Sequence, residues 1–135
     1  MTINSRDKGA NFEREIAREL ELLTGIQFRR NLEQARAVDH CDLITDDPAW
    51  PISCELKRYA AGTGCKPAWR EQATRAAAKT GKVPAVIWKY NRQPIRCTVP
   101  FTALGFGRDD EWFECSLPGL AYLAREWMAG GFDAV

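Results

Sequence analysis

No stretch of this 135-residue chain approaches the roughly eighteen consecutive apolar residues that a transmembrane helix requires. The opening Met1-Thr2-Ile3-Asn4-Ser5-Arg6-Asp7-Lys8 also lacks the apolar segment of a secretory signal, so a cytoplasmic protein without membrane attachment is expected. Cysteines at metal or redox spacing are missing too. Cys41, Cys54, Cys65, Cys97 and Cys115 are odd in number, scattered and never arranged as C-x-x-C, which argues against a disulfide framework or a zinc site. They read as reduced and mostly buried. Residues 60–66 carry two glycines suited to close approach of a ligand but not the Walker pattern, so the segment is weak as a phosphate loop. Repeats and low-complexity tracts are absent.

Acid is scarce in one region. Between residues 56 and 96 stand ten bases (Lys57, Arg58, Lys66, Arg70, Arg75, Lys79, Lys82, Lys89, Arg92 and Arg96) against the single acid Glu71, a local balance of +9 in a chain whose net charge is only +1. The compensating acids lie near the ends, notably Asp109, Asp110, Glu111 and Glu114. Such asymmetry is the footprint of a surface for a polyanion, although a charge run is also how a solvated face looks. The length implies one domain, residues 1–135, large enough to bury about two thirds of its surface and fold without staples.

Residues 40–59, HCDLITDDPAWPISCELKRY, read as two strands, 40–45 and 52–58, joined by a turn rich in Asp and Pro. A turn centred between Pro48 and Ala49 sets Asp42 opposite Glu55. Because side chains alternate along a strand, Glu55 and Lys57 share that face. Two opposed carboxylates need a proton, a cation or a hydrogen-bond network. Hard oxygen ligands of this kind suit Mg²⁺, which takes one or two carboxylates, waters and substrate phosphate. A solvated face with a cross-strand salt bridge is the plain alternative.

The pattern Asp42, twelve residues, Glu55-Leu56-Lys57 resembles the PD-(D/E)xK signature of restriction-endonuclease-like nucleases, with Cys41 where the signature has Pro. Upstream, Lys8-Gly9-Ala10-Asn11-Phe12-Glu13-Arg14-Glu15-Ile16 resembles the K-G-x-x-x-E-R-E-aliphatic opening of archaeal-type Holliday-junction resolvases. Together the motifs span about residues 6–90. The resemblance implies an α/β fold, a restriction-endonuclease-like core with a central mixed sheet of about five strands flanked by helices. It also implies a metal-dependent DNA nuclease, acting on branched DNA such as a four-way junction, as a homodimer. Its active site would comprise Glu13, Asp42, Glu55 and Lys57, with Asp42, Glu55 and Glu13 holding Mg²⁺, for which Mn²⁺ substitutes. Gln72, where the family also has a Gln, would bond a water or a backbone group near the metal, or be a plain helix-surface residue. Phosphate contacts would come from Lys8, from Arg29, Arg30 and Arg36 before the catalytic Asp, and from Arg58, Lys66, Arg70, Arg75 and Lys79 in the basic stretch.

In chain order, Phe12, Ile16, Leu20 and Leu23 predict a first helix over 11–24 stopped by Gly25. Residues 26–30 read as a strand and 31–39 as a polar connection. His40, the only histidine, reads as a surface or supporting residue more than as a base. A helix over 67–80 opens on Pro67 and ends at Gly81, with Trp69, Ala73, Ala76 and Ala77 as its apolar stripe. Residues 83–90 read as a central strand covered on both faces, 91–94 as a turn, 95–99 as a return strand and 100–116 as irregular. A last helix over 118–128 would cap the core or, as the alternative, form a dimer surface. The core would span about 6–99 and the aromatic-rich extension 100–135. Rival readings are another nuclease on the same core (nicking, restriction-type or exonuclease) and a DNA-binding module that does not cleave.

Overall fold

Val83–Tyr90 is apolar on both of its alternating sets of residues, and it forms a strand whose faces are both covered. In the computed structural model, which describes residues 5–32, 41–105, 107 and 111–130, this strand is the fourth of a six-stranded sheet. The order along the chain is α1 (Ser5–Thr24), β1 (Arg29–Arg30), β2 (Leu43–Ile44), β3 (Ile52–Tyr59), α2 (Pro67–Ala78), β4 (Val83–Tyr90), β5 (Arg96–Pro100), a 3-10 turn (Phe101–Leu104), β6 (Trp112–Cys115) and α3 (Leu117–Met128). The strands lie side by side in sequence order. All neighbours pair antiparallel except β3 and β4, which run parallel from Ile52↔Val83 to Tyr59↔Tyr90. A parallel pair needs a crossover, and α2 is that crossover.

The two sheet faces bury different helices. Phe12, Ile16 and Leu20 of α1 and Leu117, Leu120 and Ala124 of α3 share one apolar cluster with Cys54, Leu56, Ala85, Ile87, Cys97 and Val99. Trp69 and Ala73 of α2 cover Val86, Trp88 and Tyr90 on the other face. The parallel register matches Glu55 with Val86, Lys57 with Trp88 and Tyr59 with Tyr90, so all three residues of β3 look toward α2.

Several boundaries differ from those expected. Helix α1 begins at Ser5, not residue 11, because apolar periodicity marks only the turns whose large side chains reach the core, and the stretch before Phe12 carries none. Its stop is as expected: Gly25, at φ 78°, donates to the Glu21 carbonyl at 2.7 Å. The first strand is two residues long, because only Arg29 and Arg30 find partners on β2, while Ile26 and Phe28 before them pack on the main cluster and Phe28 meets Trp50 edge-on at 4.7 Å. Residues 100–116 are not wholly irregular. Trp112–Cys115 pairs with β5 as an edge strand, a pairing between segments that three half-buried residues and the exposed Glu114 do not announce by alternation. With it the sheet has six strands where about five were expected. Helix α3 caps the core, its Ser116 hydroxyl accepting from the Gly119 amide at 3.1 Å. None of the described helices is long and apolar enough to cross a membrane. Arg36, His40 and the connection 33–39, together with Asp109 and Asp110, lie outside the described residues.

Candidate active site

Leu43 pairs with Cys54, the register read from the turn, and the adjoining Asp42 lies close enough to Glu55 for the two carboxylates to interact. Asp42 is fixed by backbone on three sides. Its amide donates to the Cys54 carbonyl at 2.8 Å, its carbonyl accepts from the Asn31 amide at 2.9 Å, and its Oδ2 accepts from the Leu56 amide at 2.6 Å. The buried Asn31 side chain donates to the Cys41 carbonyl at 2.9 Å and holds the chain just before the aspartate. Asn31 is a supporting residue that sequence reasoning missed, because it lies eleven positions from the group it serves.

Glu55 is 3% exposed and Asp42 7%. Lys57 Nζ lies 3.3 Å from Glu55 Oε1 and donates to Gln72 Oε1 at 2.8 Å. Gln72, placed by α2, therefore orients the lysine instead of sitting idle on a helix surface. A neutral acceptor fixes the ammonium without neutralising it. Glu55 Oε2 is buried and has no hydrogen-bond partner. Burial first, and then the facing Glu55 charge, pushes the Asp42 carboxyl up to about 8; burial likewise raises Glu55 against the pull of Lys57. Opposed, desolvated carboxylates hold a proton that free ones would lose.

That gives a pH dependence. A carboxyl that binds its proton more tightly folded than unfolded stabilises the fold fully below its ordinary value of 3.8 and loses that contribution as pH rises through about 8. Metal-free protein is therefore expected to melt at a higher temperature at about pH 5 than at about pH 8.5. Asp42→Asn should flatten that difference, and equal slopes in differential scanning fluorimetry would contradict the assignment.

Of the other expected site residues, Glu13 reaches toward the site from α1, and its charge bears on both Asp42 and Glu55. Its carboxylate is, however, paired at 2.7 Å with Arg30 Nε. Among the described residues no three His, Cys, Asp or Glu side chains stand together as a metal-holding group. The pair Asp42 and Glu55 nevertheless fits a divalent ion, because Mg²⁺ needs only one or two protein carboxylates and the orphaned Oε2 lacks a counterpart. The basic candidates scatter. Arg29 pairs with Asp46 at 3.0 Å in solvent, Arg30 with Glu13, and Arg58 donates to the Tyr59 carbonyl at 2.7 Å. Lys66 sits beside Tyr59 and Trp69, each ring centre 5.5 Å away. Lys8 is half-buried on α1, while Arg70, Arg75 and Lys79 lie along α2, the last two exposed.

A sequence profile described as "Phage putative PDDEXK endonuclease" matches residues 4–110. No curated protein sequence matches the chain. Among solved structures, the chain is similar to Hjc of Archaeoglobus fulgidus, a Holliday junction resolvase from an archaeal hyperthermophile, with a TM-score of 0.56 and 20% identity over 87% of this chain and 98% of that one. The similarity establishes the restriction-endonuclease-like fold.

Proposed function

The chain belongs to the phage PDDEXK endonuclease family, and from that premise we propose a Mg²⁺-dependent DNA endonuclease that hydrolyses phosphodiester bonds in branched DNA, four-way junctions foremost, as a homodimer. One observation carries the metal-dependent chemistry: a buried, opposed Asp42 and Glu55, with Glu55 Oε2 unsatisfied, beside a lysine held in place by Gln72. A protein that only bound DNA would gain nothing from opposing two buried carboxylates. The branched substrate is supported by the fold shared with the archaeal resolvase.

Asp42 and Glu55 would hold the ion, with Glu13 adding negative charge at the rim and holding Arg30 toward the DNA backbone. Mg²⁺, or Mn²⁺ in its place, would supply a Lewis acid for the scissile phosphate and a water of lowered pKa. Lys57 stabilises negative charge growing on the phosphoryl oxygens, and Gln72 keeps its ammonium aimed there. Two symmetric nicks need two sites, which a twofold dimer provides. Incubating the protein with a labelled four-way junction, a matched duplex and a single strand, each with Mg²⁺ or EDTA, tests the reading. Mg²⁺-dependent cutting strongest on the junction is expected; no cutting of any of the three would refute it.

The basic stretch gives a second expectation. Converting Arg70, Arg75 and Lys79 together to Ala should reduce the salt dependence of DNA affinity by a slope of about two to three, since each phosphate neutralised contributes about 0.9. An unchanged slope in fluorescence-anisotropy titrations would assign those charges to a solvated face.

A further inference from the structure

Two residues beyond Lys57, on the same face of β3, stands Tyr59, 45% exposed at the end of a strand otherwise largely buried. Its ring stacks on Trp69 with centroids 5.3 Å apart and planes 11° from parallel. Trp69 in turn meets Tyr90 at 6.2 Å, and Tyr90 meets Trp88 at 5.7 Å, so the exposed ring is the outer member of a run of four aromatics rooted in the sheet. Residues 60–66 are pinned to the same run. The Tyr90 hydroxyl donates to the Gly64 carbonyl at 2.8 Å, and a Cβ at Gly62 would fall 2.5 Å from the Tyr90 ring, so only glycine lets the loop lie there. Lys66 Nζ is equidistant from the Tyr59 and Trp69 centroids at 5.5 Å, which puts it beside the stack and leaves the outward face of Tyr59 clear of it.

We propose that Tyr59, backed by Trp69 and flanked by Lys66, seats an unpaired nucleobase a few nucleotides from the phosphate held at Asp42 and Glu55, with Lys66 meeting the phosphate beside that base. The assignment rests on the nuclease reading and deepens it by naming what the site recognises. Spacing agrees with this. Tyr59 lies about 6.6 Å of strand beyond Lys57 and about 13 Å beyond Glu55, a reach of about two to four base steps of about 3.4 Å each along one DNA strand. A ring fixed by packing loses little freedom on stacking, and base-aromatic stacking is indifferent to which base is present. Inside a continuous duplex both faces of every base are covered, so this seat can act only where stacking is interrupted, at a branch, a flap or a frayed end. The protein thereby discriminates interrupted DNA from plain duplex.

The test uses the full chain in EDTA, so that no strand is cut. The probes are a duplex ending in an unpaired flap with 2-aminopurine at the first unpaired position, and a blunt duplex with the same base paired internally. Wild type should bind the flap more tightly and quench its fluorescence. Tyr59→Ala should lose about five- to hundredfold affinity for the flap, the range of one stacked base, while changing blunt-duplex affinity by less than about twofold on the same scale. Tyr59→Phe should behave as wild type. Tyr59→Leu, which keeps an apolar contact with Trp69 but no ring, should behave as Tyr59→Ala. Equal losses on both DNAs, or quenching that survives Tyr59→Leu, overturn the proposal. Flap quenching by a protein that cuts nothing in Mg²⁺ would retire the nuclease reading and leave the base seat in place. Cutting by a protein whose quenching is unaffected by Tyr59→Ala would do the reverse.

Discussion

Lys57→Ala should cut a four-way junction about a hundred- to a thousandfold more slowly than wild type while binding it with nearly the same affinity. The magnitude is that of removing one group aimed at charge that develops only in the transition state. Such a group acts on the chemical step and hardly on ground-state binding, so the loss should appear in the single-turnover rate. Lys57 meets the geometric requirement: it shares the α2-facing side of β3 with Glu55, lies 3.3 Å from that carboxylate, and is aimed by Gln72. Arg58 is the neighbour for comparison. Its register partner is Lys89, on the side where Leu56 and Ile87 face α1, so Arg58→Ala should lose at most a phosphate contact and cut at the wild-type rate once bound. Gel shift and single-turnover cleavage on one junction measure both variants. Wild-type cutting by Lys57→Ala would remove the lysine from the site.

Asp42→Asn should lower the cleavage rate by about three orders of magnitude, the several kcal/mol that a positioned divalent ion supplies at roughly 1.4 kcal/mol per tenfold. It should also abolish Mn²⁺ binding in calorimetric titration. The same substitution should raise the melting temperature of the metal-free protein near pH 8. Asparagine is nearly isosteric and its side-chain oxygen still accepts from the Leu56 amide, but it no longer opposes the buried Glu55. A charge buried against a like charge without a counterion is a cost to the fold, and removing it relieves that cost. Activity and metal-free stability are thus expected to move in opposite directions, a pattern that general damage to the fold does not produce. Mn²⁺ binding equal to wild type would place the ion elsewhere.

Much of the site was legible before any coordinates. The Asp-Pro-rich turn announced the register that pairs Leu43 with Cys54 and brings Asp42 near Glu55, and alternation put Lys57 on the face of Glu55; both are consequences of local geometry with a period of two. Gln72 was legible as a candidate through the family resemblance, but its partner was not, since no one-dimensional pattern says that it accepts from Lys57, fifteen residues earlier. Tyr59 lay in plain sight two positions past Lys57. Its significance depends on Trp69, ten residues later, folding back over it, and the stack exists only because the β3–α2–β4 crossover closes.

Sequence alone determined the elements whose signal is short-range: the helix stripes of α1 and α3, the Pro67 start and Gly25 stop, and the two-sided apolar strand β4. The tertiary structure decided what depends on pairing between distant segments. It drew Glu13 to Arg30, seventeen residues away, instead of into one group with Asp42 and Glu55. It turned Trp112–Cys115 into a sixth strand. It also left Glu55 Oε2 buried without a partner. The physical reason is common to all three. Hydrophobic periodicity reports which face of an element is buried, whereas an ion pair, an edge ladder or an orphaned oxygen is fixed by the neighbours that burial brings to it.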